Sequence, residues 1–465
     1  MIVSVFLSLM RKVYFISIIL LSVVVGACGC KEQQQSQEPE ESQVIDLSLI
    51  TQSVPVTDNW IFSRKPAITI HIENGNEAAV KVETKVRITT DSKQEVVIIT
   101  DSVEIAGKGK KDVVVTTKDN LSPGFYKAAC SVNNKNARTF FFGVDPFQIV
   151  SPPDKQADFD AFWQAAKDQL AAIDMNATLT ELPSKSSEQR KVYFVEMNSV
   201  PDGLTGEPVV VRGYYCEPQD GGKHPVIMHF YGYDTQRSKA KVECPSGGTS
   251  QYAEFYLSHR GQYINNRPAS SREPDGKGDF ENIYGDWFSY NFGDKNSYYY
   301  RGAFMDVVQA VRFMATRETS DMTHLFAEGS SQGGALTYAC AALSDYPCSA
   351  IAANVAFLGD YVDAINIGGL AMELSKTARG TMTNEEMLAF LSYFDTKNLA
   401  TRISCAVLAS SGLQDDVCPP RTNVVPFNNL ATPEADKHYL FGPEMGHDYP
   451  KGWSTEMWKL FRSKM

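Results

Sequence analysis

The sequence has no excess of positive charge: across 465 residues, 44 Lys and Arg stand against 55 Asp and Glu, a formal charge of -11. Nucleic-acid binders present a basic face, so that class is excluded. Cysteine is sparse and irregularly spaced, nine residues without a Cys-x-x-Cys pair, which leaves a zinc site without support. No segment recurs at a fixed period, which argues against propellers and solenoids. The apolar run Val13 to Val25 falls short of the roughly 20 residues that cross a bilayer, so a spanning helix is not expected.

That run belongs instead to a targeting signal. Arg11 and Lys12 precede it, and it ends at Val25-Gly26-Ala27-Cys28, small residues before a cysteine. The pattern resembles a bacterial lipoprotein signal, in which the cysteine becomes the lipid-modified first residue. Residues 1–27 are then expected to be removed, and Cys28 to anchor an exported chain to a bacterial membrane on its periplasmic or cell-surface side. Residues 28–44 read as a tether, since Lys31 to Gln43 is almost wholly Gln, Glu, Ser and Pro and cannot bury enough apolar surface to offset chain entropy.

The remaining chain is longer than the roughly 250–300 residues one core usually fills, so more than one domain is expected. Residues 45–146 show period-two strands separated by turn residues. Ala67 to Ile72 alternates, and Val80, Val82, Thr84, Val86 and Ile88 mark one face of the next strand. The expected fold is an all-β, immunoglobulin-like sandwich. It offers no recognisable aromatic platform for sugars, so a spacer or docking role is expected, with His71, Lys108, Lys110 and Lys111 at a solvated edge. After Pro146 and Ser151-Pro152-Pro153, strands alternate with helices through Leu440, the pattern of a mostly parallel central sheet. Asp158 to Ile173 carries Phe159, Phe162, Trp163 and Leu170 on one side of a helix, and Pro225 to Phe230 is a continuous apolar run suited to a covered strand. Residues 147–465 are therefore expected to form an α/β domain.

Within that domain, Gly329-Ser330-Ser331-Gln332-Gly333 follows an apolar strand and opens a helix of small residues. It fits Gly-x-Ser-x-Gly, the strand-to-helix turn that exposes a serine oxygen at the top of an α/β-hydrolase sheet. Strict spacing selects Ser331 over Ser330. Two later strands release loops carrying acids and an imidazole: Gly412 to Pro420 holds Asp415 and Asp416, and Gly442 to Pro450 holds His447. The order serine, acid, histidine is that of this fold. A serine hydroxyl is a weak nucleophile at neutral pH, so an imidazole must take its proton and a carboxylate must hold the imidazole in one tautomer. His447 is the expected base and Asp415 the expected acid, with Asp416 as its rival. The loop Tyr231-Gly232-Tyr233 follows a core strand, where this fold draws one backbone donor of its oxyanion hole.

These motifs together resemble carbohydrate esterase family seven, the acetyl xylan esterases and cephalosporin C deacetylases. The resemblance rests on Gly329-x-Ser331-Gln332-Gly333-Gly334, Arg260-Gly261-Gln262, Tyr300-Arg301-Gly302, Gly412-Leu413-x-Asp415 with Pro419-Pro420, and Gly446-His447, and covers roughly Phe147 to the C-terminus. It implies an α/β-hydrolase that removes acetyl groups from esterified sugars without a metal or organic cofactor, often as a hexamer. By position it implies Ser331 as nucleophile, Asp415 as acid, His447 as base, the backbone N–H groups of Tyr233 and Gln332 as oxyanion hole, and Arg260 and Gln262 as bracing residues. Two positions depart from the family. Tyr231 replaces its usual histidine, which leaves the backbone donor intact, and Ser258 replaces an aspartate two residues before Arg260, which changes the brace. The N-terminal sandwich and lipid anchor are additions, so the assembly state stays open between monomer and homo-oligomer.

The expected partner is an acetylated oligosaccharide or polysaccharide. Two other classes share parts of the pattern. A serine peptidase of the same fold would normally bring a repeated propeller, and a non-catalytic sugar-binding lipoprotein would normally have lost a triad member.

Overall fold

The computed structural model describes residues 45–233, 242–245, 251–265, 268 and 284–465. The expected signal segment, Cys28 and the tether lie outside the described residues.

The N-terminal part is built from β1 (Ile50–Ser53), β2 (Ile61–Phe62), β3 (Ala67–Asn74), β4 (Val80–Thr90), β5 (Glu95–Ile105), β6 (Lys110–Thr116), β7 (Gly124–Val132) and β8 (Lys135–Val144). Among the described residues they form a three-stranded sheet, β1-β3-β6, and a five-stranded one, β2-β8-β7-β4-β5. Alternation decides which side chains turn inward. Ile68, Ile70 and Ile72 of β3 meet Val80, Val82, Val86 and Ile88 of β4 in one core. That core is not closed by its own strands, because Leu413, Val424 and Val425 from the far end of the chain complete it. His71 lies on the solvated side between Asp112 and Glu73, at 2.5 and 3.2 Å.

The second part carries β9 (Thr178–Glu181), β10 (Arg190–Ser199), β11 (Val209–Pro218), β12 (His224–Phe230), β13 (Ala253–Ser258), β14 (Ser320–Ser330), β15 (Cys348–Asn354), β16 (Ala406–Gly412) and β17 (Lys437–Gly442). Among the described residues they make one sheet ordered β17-β16-β15-β14-β12-β13-β11-β10-β9. Pairing is parallel from β17 to β13 and antiparallel from there to β9. This is the α/β-hydrolase arrangement with a mostly parallel centre.

Helices cover both faces. On one face lie α1 (Phe159–Ala171), α2 (Tyr299–Ala315) and α3 (Gln332–Leu343); α1 buries Phe159, Phe162, Trp163, Ala166 and Leu170, spaced to share one stripe. Each such aromatic or aliphatic side chain stabilises the fold by roughly 1.5–3 kcal/mol. After β15 come α4 (Tyr361–Ile367), α5 (Leu370–Ala378), α6 (Asn384–Leu391) and α7 (Thr396–Ala400); α8 (Pro420–Asn428) follows β16, and α9 (Trp453–Ser463) covers the other face through Trp453, Met457, Leu460 and Phe461. The loops after β12, β14, β16 and β17 all leave the same edge of the sheet, as parallel strands require. The seven cysteines among the described residues are free thiols.

Candidate active site

The turn between β14 and α3 is drawn so tight that both flanking glycines are needed. A Cβ on Gly329 would lie 2.4 Å from the Gly333 carbonyl oxygen, and one on Gly333 would lie 2.4 Å from that of Phe230. Between them Ser331 sits at φ 59°, ψ -122°, a conformation costing on the order of 1–3 kcal/mol for a residue with a side chain. Three hydrogen bonds hold it there: Ser331 N–H donates to Asn354 O at 3.0 Å, and Ser331 O accepts from Phe357 N at 2.9 Å and Ala335 N at 3.2 Å.

The loop after β17 brings His447 over this serine, with Nε2 2.9 Å from Ser331 Oγ. Its Nδ1 is 2.8 Å from Asp415 Oδ2 in the loop after β16. An ionised carboxylate only accepts, so Nδ1 carries the proton and Nε2 is left to accept from the serine hydroxyl. Asp415 is buried, and its second oxygen accepts from the N–H groups of Val417 and Cys418, each at 2.9 Å. Adjacent Asp416 is exposed. Of the two aspartates, the hydrogen-bonded row runs through Asp415.

Ser330 takes a different part. Its Oγ accepts from Asn354 Nδ2 at 2.8 Å, and the same amide donates to Asp448 O at 3.2 Å while Asn354 Oδ1 accepts from Ser410 Oγ at 2.5 Å. Fully buried Asn354 thus ties the turn, the histidine loop and β16 together. Sequence reasoning did not single it out; its signal was an amide closing the apolar strand Ala350 to Ala353.

Gly232 lies against the serine, since a Cβ built on it would be 3.9 Å from Ser331 Cβ. The neighbouring Tyr233 packs its ring 5.3 Å edge-on from Trp287 and donates its hydroxyl hydrogen to Asp286. Gln262 Nε2 donates to Gly232 O at 3.3 Å, so this side chain braces the loop that carries Tyr233. Gln332 opens α3. Its buried carboxamide accepts from Tyr300 OH at 2.8 Å and donates to His259 Nε2 at 2.8 Å. That bond leaves the proton of His259 on Nδ1, which faces Arg260 O at 3.2 Å and Tyr299 OH at 2.9 Å. Burial pushes the His259 pKa down to about 4, outweighing the pull of nearby Asp306.

Arg260 does not touch the triad. Its Nε and Nη2 pair with the two oxygens of Asp306 on α2, both at 2.8 Å, and its backbone N–H adds a third bond at 3.0 Å. The carboxylate paired with Arg260 is thus on α2 and not at position 258, where Ser258 Oγ donates to Gln262 O at 2.8 Å. Gly302 makes room for this pair, because a Cβ there would lie 2.1 Å from Arg260 Nη1. The Arg260-Gly-Gln262 and Tyr300-Arg-Gly302 motifs are two halves of one buried brace. Asp306 was hidden by the apolar stripe around it in the sequence.

On the other face of the sheet, His229 lies between Glu328 and Glu254, at 2.7 and 3.2 Å, with Arg190 on Glu254. Burial opposes its charge, but the two carboxylates prevail and raise its pKa to about 9.

A parallel α/β sheet with a strained serine turn, an imidazole on the serine and a buried carboxylate on the imidazole defines a serine hydrolase of the α/β-hydrolase class. The family model for acetyl xylan esterases matches residues 149–465, and the chain belongs to that family; it is a carboxylic ester hydrolase. An acetyl esterase of Xylanibacter ruminicola is 25% identical over 316 residues, spanning 67% of this chain and 69% of that protein. Acetyl xylan esterase 1 from a Thermoanaerobacterium species superposes with a TM-score of 0.53 at 24% identity, covering 67% of this chain and 95% of that one. An acetyl xylan esterase from a Paenibacillus species gives 0.54 at 24% identity, covering 69% and 98%. Both structures share the fold.

Proposed function

We propose that this protein removes acetyl groups from acetylated xylan or xylo-oligosaccharides, and from other small acetyl esters, by a two-step acyl transfer. Ser331 Oγ attacks the acetyl carbonyl as His447 Nε2 takes its proton, and the carbonyl electrons move to oxygen. The N–H groups of Tyr233 and Gln332 hold that oxyanion, each donor lowering the barrier by about 2.7–4 kcal/mol. His447 then returns the proton to the sugar oxygen as the C–O bond breaks, leaving an acetyl-enzyme. Water gives a proton to the same imidazole and adds to the acetyl carbon; the Ser331 Oγ–C bond then breaks as His447 Nε2 returns that proton to Oγ, and acetate leaves. Asp415 holds the imidazole tautomer and stabilises its cationic form. Arg260 and Gln262 brace the site from behind.

The observation that carries this reading is the hydrogen-bonded row Ser331, His447, Asp415 within a chain of the acetyl xylan esterase family. Ser331→Ala is expected to lower acetate release from acetylated xylan and from 4-nitrophenyl acetate at least about 10⁴-fold while leaving the unfolding curve in place. Turnover retained by that variant would refute the assignment. Cleavage of a peptide substrate in preference to acetyl esters would favour the peptidase class instead.

The proposal extends to placement. Residues 1–27 are a lipoprotein signal, Cys28 carries the lipid, residues 28–44 are a tether, and 45–146 form an immunoglobulin-like domain ahead of the catalytic domain 147–465. The composition of the first 44 residues and the two facing sheets support this. Mass spectrometry of the mature protein tests the anchor, since an unmodified chain that continues upstream of Cys28 is incompatible with it.

A further inference from the structure

A cleft of about 430 Å³ opens where the N-terminal sheets, the α4–α5 corner and the loop of Asp415 meet. Its floor is Gln414 to Asp416 with Pro419 and Pro420, the same loop that turns the buried Asp415 carboxylate to His447, so the cleft lies on the outer side of the acid loop. Its size falls within the range of small-molecule sites, about 300–1,000 Å³.

The walls are fixed relative to each other and to the floor. Arg421 pairs with Asp91 beside β4 at 2.8 Å and with Asp363 on α4 at 3.3 Å, so one guanidinium spans both sides. The Gln414 carboxamide accepts from Phe141 N at 2.9 Å and donates to Phe141 O at 3.0 Å, which fastens the floor to β8. Val417 O accepts from Leu370 N at 2.8 Å, which fastens the same loop to α5. A cleft braced this way loses little ordering entropy when a ligand enters.

Its lining mixes charge of both signs with one aromatic face. Lys127 stands 5.5 Å above the half-buried Phe141 ring, and Asn366, Glu373 and Asp416 face the same space with exposed side chains. Among the described residues, those three side chains engage no protein partner. An acyl chain would need a uniformly apolar lining, and a phosphate an unopposed cationic one. Interleaved donors and acceptors around a ring suit an uncharged polyhydroxylated chain, whose hydroxyls both give and take hydrogen bonds while its C–H faces lie on the aromatic surface.

We infer that this cleft binds sugar units of the substrate chain beyond the one whose ester lies at Ser331, so that the N-terminal sheets select substrate by chain length. The inference rests on the xylan esterase reading above. The test compares wild type with Lys127→Ala/Glu373→Ala on acetylated xylobiose through xylohexaose and on 4-nitrophenyl acetate. Wild-type kcat/KM is expected to rise with chain length. The double variant is expected to lose about tenfold on the hexaose, mainly through KM, as two hydrogen bonds would give, and to keep its rate on 4-nitrophenyl acetate. In a Ser331→Ala background, unacetylated xylohexaose is expected to bind in calorimetry, and more weakly once the two cleft substitutions are added. A wild-type rate independent of length, or a loss shared equally by 4-nitrophenyl acetate, overturns the inference while leaving the esterase standing. Turnover of 4-nitrophenyl acetate but of no acetylated xylo-oligosaccharide defeats the xylan reading and this inference with it.

Discussion

Replacing Gln414 by alanine removes the side chain through which β8 holds the loop of Asp415. Its carboxamide makes three hydrogen bonds, from Phe141 N at 2.9 Å and to Phe141 O at 3.0 Å and Pro443 O at 2.8 Å. Its own backbone N–H donates to Met445 O at 2.9 Å, two residues before His447, so it stands between the acid loop and the histidine loop. Three bonds at about 1 kcal/mol each give an upper bound of about 3 kcal/mol, and water reaching the half-buried Phe141 groups reduces this to about 1–2. A loss of that size lets the Asp415 loop shift, and a displacement of about 1 Å at a reacting group can cost about 10²-fold. For Gln414→Ala we expect kcat on 4-nitrophenyl acetate to fall between about 10- and 100-fold with KM nearly unchanged, and Tm to drop by about 2–6 °C. Gln414→Met keeps the volume without the polar atoms and should match alanine. Gln414→Glu sets a negative oxygen against two carbonyls and should fall at least as far. Wild-type kcat and Tm in all three variants would refute the claim that the N-terminal sheets position the acid.

Two further predictions concern single groups. Asp415→Asn is expected to cut kcat by about 10⁴-fold by stabilising the wrong imidazole tautomer, whereas exposed Asp416→Asn should stay within about twofold; steady-state kinetics on one acetyl ester decides between them. Stability should peak near pH 6.5 as far as the two buried imidazoles control it. His259 has its pKa lowered from 6.5 to about 4, so the unfolded chain gains a proton first and stability is lost as pH falls from 6.5 towards 4. His229 has its pKa raised from 6.5 to about 9, so its contribution is complete below 6.5 and is lost as pH rises through 9. Each gap corresponds to a contribution on the order of 3 kcal/mol. Urea unfolding between pH 4 and 10 measures it, and a His259→Gln variant with an unchanged acid limb would contradict the assignment.

What could be read from the sequence was what local chemistry dictates. The Gly-x-Ser-x-Gly turn announces itself because no other residue types fit carbonyl oxygens that close, and the order of serine, acid and histidine follows from which strands precede them. Alternating and continuous apolar runs separated the N-terminal strands from the parallel sheet, since one face of the first and both faces of the second are covered. Asp415 and Asp416 are neighbours of the same type in one turn, so only the path of the loop could decide which carboxylate meets His447. Asp306 lies 46 residues from its partner Arg260, and Gln414 lies 273 from Phe141. Ser330 and Asn354, like the Gln332–His259 pair, gained their roles from contacts that no residue pattern encodes. Local sequence thus set the reactive turn and the strands around it. The folded chain alone decided which distant side chains hold that turn rigid, because hydrogen bonds form between groups brought close in space regardless of their separation along the chain.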